Sequence, residues 1–159
     1  MFDQDCVEKI AKDVCQKLGA GHREAVYKQA FLVALRHVHK AEGFQYDCER
    51  VVRFTYEDHC VGWGNADIVV RDCDGSQIVL ELKKGNTSPE TAKQQCQNYM
   101  YFLSKENDGP IEKGFVIGFP SSEEEDPTSA SETVDEPKKV RKKKKPNSVW
   151  VEKVGPRKN

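Results

Sequence analysis

No apolar run in this 159-residue chain approaches the roughly 18 residues that a membrane-spanning helix needs. Residues 1–18 mix acids and lysines and lack the apolar core of a secretory signal, so an intracellular protein is expected. The six cysteines, at 6, 15, 48, 60, 73 and 96, include no CxxC pair. A zinc finger clamps its ion with close pairs, and a secreted disulfide scaffold is short and cysteine-dense, so neither class fits. Reduced cysteines serving as small core residues are expected instead. The four histidines show no ligand spacing, and no internal repeat is visible. Excess charge is also missing, since the net is −1 with 32% charged residues.

That near-zero sum hides a strong pattern. Residues 121–137 hold seven acids and no base, whereas 138–145 hold seven bases and no acid. Residues 1–120 are left with 15 bases against 18 acids, a net of −3. The folded part is therefore not a broadly cationic duplex binder. Any phosphate-binding surface must be local or come from the basic run.

The length suits one domain. Cys6, Val7, Ile10, Ala11, Val14, Cys15 and Leu18 recur at helical spacing over 3–18, and Gly19 and Gly21 end that helix. A second helix is expected over about 22–41, burying Ala25, Val26, Ala30, Val33, Ala34 and Val38. β-branched and aromatic residues between Phe44 and Trp63 predict two strands, and Ala66–Arg71 and Gln77–Lys83 predict two more. Ser88 and Pro89 open a third helix with Ala92, Cys96, Tyr99 and Leu103 as its stripe. Strands follow at 114–119 and 148–154, separated by 121–147, an acidic then basic insertion with almost nothing to bury. The order predicts one α/β domain over 1–159: a mixed sheet flanked by helices, with the third helix as a crossover.

The most informative stretch is Asp67, then Glu81-Leu82-Lys83 on the next strand. Side chains alternate along a strand, so Glu81 and Lys83 share a face. A three-residue loop, Cys73-Asp74-Gly75, pairs Asp72 with Ser76 and hence Asp67 with Glu81. The same register gathers Ile68, Val70, Ile78, Leu80 and Leu82 on one side, and Gly75 supplies the left-handed residue that such a loop requires. Two carboxylates so placed repel each other unless a cation lies between them, and Mg²⁺ takes oxygen ligands. Lys83 beside them suits charge stabilisation at a phosphodiester. These three residues alone also fit an ordinary exposed hairpin with an ion pair.

Two further motifs extend the set. Gly21-His22-Arg23-Glu24-Ala25-Val26-Tyr27 reads GxxExxY, and Gln95 to Tyr99 reads QxxxY. Together with Asp67 and Glu81-Leu82-Lys83, they make the chain resemble the GxxExxY family of the PD-(D/E)XK nuclease superfamily, over about residues 3–119 and strand 148–154. Ala66 stands where the superfamily's name has proline. The resemblance implies a restriction-endonuclease-like fold and a Mg²⁺ or Mn²⁺ site of Asp67 and Glu81, completed by Glu24, with Lys83 catalytic. It also implies that Gln95 and Tyr99 lie beside the nucleic-acid strand. From the residues alone, Glu24 also fits a solvated first-turn acid, and Tyr99 also fits the core. Tyr27 is expected to pack the second helix against the sheet.

The expected activity is hydrolysis of nucleic acid, DNA first, in a repair or recombination role. The rival is an inactive binding or interaction module of the same fold. The run 137–146 resembles a nuclear-import signal, which adds an import receptor as candidate partner and the nucleus as candidate location; a homodimer is a further candidate.

Overall fold

The computed structural model describes residues 2–85, 87–106, 109–121 and 149–157. Within them, three helices flank a five-stranded mixed sheet in the order β1-β2-β3-β4-β5. Helices α1 (Gln4–Leu18) and α2 (Glu24–Glu42) cover one face, and α3 (Pro89–Lys105) covers the other. Strands β1 (Gln45–Tyr56), β2 (His59–Arg71) and β3 (Gln77–Lys84) form an antiparallel meander. Helix α3 then carries the chain across to β4 (Lys113–Phe119), which is parallel to β3, and β5 (Trp150–Val154) closes the far edge antiparallel to β4. The expected insertion at 121–147 and the basic run at 137–146 fall, apart from Ser121, outside the described residues.

Local chemistry explains the helix starts. Asp3 caps α1 by accepting from the Cys6 N–H, and Ser88 caps α3 by accepting from the Thr91 N–H. The β2–β3 loop takes the expected three-residue form. The Asp72 N–H donates to the Ser76 carbonyl, and Gly75 has φ +85°.

Three expectations need correction. The break anticipated between Trp63 and Ala66 does not occur, because β2 runs on through Gly64 and Asn65. A side chain at Gly64 would sit 2.8 Å from the Tyr99 ring, so this glycine serves close packing rather than a turn. On α2 the buried stripe is Tyr27, Phe31 and Leu35, while Val26 and Val33 are exposed. The larger side chains at that i, i+4, i+8 spacing bury more apolar area than the valines would. Of the cysteines, only Cys96 is fully buried, and Cys48, Cys60 and Cys73 are exposed.

The sheet is also reshaped next to the candidate site. Ile68 and Val70 pack with the α1–α2 layer, whereas Gly64 and Ala66, of the same parity, pack towards α3. Tyr46 and Val52 on β1 divide in the same way. The pleat of both strands therefore changes sides around Glu49 and Asp67, and Glu49 lies there with φ +52°. This reversal frees Asp67 from the regular ladder.

Candidate active site

The β2–β3 ladder ends at the pair Ile68↔Leu80. The next register pair is Asp67 with Glu81, and at that point side chains replace the ladder. The Asp67 N–H donates to Glu81 Oε1 at 3.1 Å, and the Leu82 N–H donates to Asp67 Oδ2 at 2.8 Å. Each carboxylate is thus fixed by the partner strand's backbone. Both groups are buried, Glu81 completely.

One oxygen of each acid is left for other partners. Asp67 Oδ1 lies 2.6 Å from Lys28 Nζ, and Glu81 Oε2 lies 3.2 Å from Lys83 Nζ. The second contact is an ion pair without hydrogen-bond alignment, so Glu81 Oε2 is buried with no aligned hydrogen bond among the described residues. Burial and then the Asp67 charge push the Glu81 carboxyl up to about 7, against the opposing pull of Lys83 and the Asp67 N–H. Burial works against the Lys83 charge, but Glu81, Asp67 and Glu24 outweigh it and raise its pKa.

Asp67, Glu81 and Lys83 therefore come together as the spacing predicts. Glu24 does not complete a three-carboxylate cluster. The first turn of α2 meets β3 beyond Glu81, and Glu24 Oε2 accepts from the Lys84 N–H at 3.1 Å. Among the described residues, no three Asp, Glu, His or Cys side chains form a group able to hold an ion. The donors present still fit a hard divalent cation. Two close carboxylates each keep an oxygen off the backbone, and one of these, Glu81 Oε2, is buried beside Lys83 without an aligned hydrogen bond. Mg²⁺ commonly binds through one or two carboxylates, completing its shell with water and substrate phosphate.

Tyr27 is fully buried, and its ring stacks on Phe119 at 4.5 Å between centroids. Its hydroxyl donates to the Gly19 carbonyl at 2.7 Å, which ties the GxxExxY turn to the sheet. Tyr99 belongs to the α3 core, its ring parallel to Phe54, and its hydroxyl accepts from Gln95 Nε2 at 2.8 Å. Gln95 and Tyr99 are thus brought to each other, beside a shallow hollow of about 340 Å³ that Gln94 and Asn98 also line.

Sequence reasoning missed Lys28 and Glu49. Lys28 Nζ lies 2.6 Å from Glu49 Oε1 as well as from Asp67. The available signal was the helical spacing of Lys28 from Glu24, one turn further along the same face.

A family model described as the PD-(D/E)XK nuclease superfamily matches residues 3–128. The chain belongs to that superfamily. The mixed sheet with helices on both faces is its restriction-endonuclease-like fold. No curated protein matches. Among solved structures, the crystal structure of SSO0001 aligns over 96% of this chain at 16% identity and a TM-score of 0.47. This chain spans 61% of that one, and a likeness so loose carries no functional argument.

Proposed function

We propose that this superfamily member is a Mg²⁺- or Mn²⁺-dependent nuclease of the GxxExxY branch, acting on DNA. The observation that carries the reading is the buried Glu81 beside Asp67, each acid with one oxygen off the backbone and Glu81 Oε2 lacking an aligned hydrogen bond. Lys28 and Lys83 offset the two charges in the ion-free protein, but a purely structural role would be better served by neutral side chains than by two buried acids with two lysines.

In this reading Asp67 and Glu81 hold the divalent ion, which when bound supplies Lewis-acid activation of a phosphodiester. The mostly buried Lys83 ammonium donates to the attacked phosphate or the attacking water and stabilises charge gathering on phosphorus. Glu24 steadies the end of β3 through the Lys84 N–H and adds negative charge next to Lys83. Gln95 and Tyr99 place a strand against the hollow on α3.

A binding module of the same fold is the second reading. The net −3 of residues 1–120 and the lack of a third clustered acid among the described residues favour it. The test is cleavage of single-stranded, duplex and branched DNA with Mg²⁺ or Mn²⁺, using the wild type and Glu81→Gln. The nuclease reading expects metal-dependent cleavage that the substitution abolishes. Cleavage of nothing by the wild type, with DNA binding retained, selects the module.

A further inference from the structure

Lys28 lies one turn beyond Glu24 on α2, and its side chain is only 17% exposed. Its stem carries the ammonium into the gap between β1 and β2, where it bridges Asp67 Oδ1 and Glu49 Oε1, each at 2.6 Å. Glu49 occupies a left-handed backbone conformation that a side-chain-bearing residue rarely adopts without a local cause. It sits between the ladder pairs Cys48↔Ile68 and Arg50↔Ala66, directly across from Asp67. Its own side chain is 54% exposed, so it lies at the mouth of the gap and Asp67 at the bottom.

The bridged Asp67 oxygen is the one that the backbone leaves available. A divalent ion at that oxygen and an ammonium 2.6 Å from it would repel strongly in a partly dry site. One must yield, and Glu49 offers the ammonium a second partner already in contact.

We propose that Lys28 is a resident counter-ion for the metal site, neutralising Asp67 in the ion-free protein and withdrawing to Glu49 when a divalent cation takes Asp67. The inference rests on the metal-site reading of Asp67 and Glu81. It makes Lys28 and Glu49 positioning residues that set metal affinity without ligating the ion. Lys28 keeps Asp67 oriented before loading. Glu49 retains the released ammonium nearby, where its positive charge remains available to an incoming phosphate.

The test is Mn²⁺ titration calorimetry on the full chain: wild type, Lys28→Met, Lys28→Arg, Glu49→Gln and the Lys28→Met/Glu49→Gln double variant. Thermal melts in chelator check folding. Lys28→Met removes the competitor and should tighten Mn²⁺ about tenfold, while Lys28→Arg keeps it and should stay near wild type. Glu49→Gln removes the second partner, leaves Lys28 more firmly on Asp67 and should weaken Mn²⁺ about threefold. The double variant should match Lys28→Met, because Glu49 acts only through Lys28. Unchanged or weaker affinity in Lys28→Met overturns the proposal, and so does a Glu49→Gln loss that persists in the double variant, which would make Glu49 a ligand. Should Lys28→Met fail to fold, the exposed Glu49→Gln decides by itself, and an affinity at or above wild type overturns the exchange. A wild type showing the exchange but cleaving no DNA defeats only the nuclease reading. One that cleaves with affinities unmoved by Lys28→Met defeats only this inference, and a wild type that binds no Mn²⁺ defeats both.

Discussion

With its carboxyl fully buried and one oxygen held by the Asp67 N–H, Glu81 makes the site's electrostatics measurable without any substrate. Its carboxyl is raised from 4.5 to about 7, first by burial and then by Asp67. Between those values the unfolded chain has lost the Glu81 proton and the native protein still holds it. The native state then binds more protons, so raising the pH removes stability, and the loss levels off above about pH 7. Melting temperature in chelator should therefore fall for wild type relative to Glu81→Gln across this window; parallel profiles would show that Glu81 does not titrate there. For catalysis, Lys83→Ala should leave Mn²⁺ binding near wild type or slightly tighter while cleavage drops roughly 10²-fold, the scale of losing one transition-state donor. A Lys83→Ala protein that cleaves normally would remove Lys83 from the chemistry. Asp67, Glu81 and Lys83 were legible because alternation along one strand and the chemistry of one turn are local rules. Lys28 and Glu49 were not, since their partnership depends on how α2 and β1 meet across the gap.

Turns and caps were the elements read best from sequence, because Ser88 and Gly75 each satisfy a backbone requirement within a few residues. Faces were read less well. On α2 every candidate stripe was apolar, and only the packed sheet reveals that Tyr27, Phe31 and Leu35 outcompete the valines. On β2, Gly64 lies in the break expected between two strands but is a contact surface for Tyr99 and Phe54. That difference can be tested. In Gly64→Ala the new methyl would lie 2.8 Å from Tyr99 Cε1 and Oη and 3.1 Å from Phe54 Cζ, with both rings held between α3 and the sheet. The expected cost is about 1–3 kcal/mol, the usual range for overpacking. The ring must also tilt, which loosens the bond from Gln95 to the Tyr99 hydroxyl. Denaturant unfolding should show the penalty shrinking in a Tyr99→Leu background, where the clash is removed. A neutral Gly64→Ala would mean that β2 bends at this position as a turn residue would.

The order of elements across the whole molecule followed from the sequence, but the strand count did not, since two expected strands fuse into β2. The long acidic then basic stretch lies, apart from Ser121, outside the described residues, and the geometry of the sheet on either side of it lets its removal be tested. Strands β4 and β5 are antiparallel neighbours, with Gly118 opposite Trp150, and the Trp150 ring lies over the bare Gly118 backbone. Deleting 122–147 leaves five residues, 119–121 and 148–149, between that pair, a normal length for a hairpin connection. The shortened protein should keep its far-UV circular dichroism and melt within a few degrees of the full chain. DNA binding should change character instead. Residues 1–120 carry a net −3, so under the proposed function the seven bases at 138–145 would be the main source of phosphate contacts. If they neutralise about six phosphates, log affinity should fall with log salt at a slope near −5, and the deletion should flatten that slope. Cleavage of short DNA at saturating concentration should survive, because Asp67, Glu81 and Lys83 lie wholly within β2 and β3. An unfolded deletion protein would show that the segment supports the sheet, and an unchanged slope would move the phosphate-binding surface onto the folded domain.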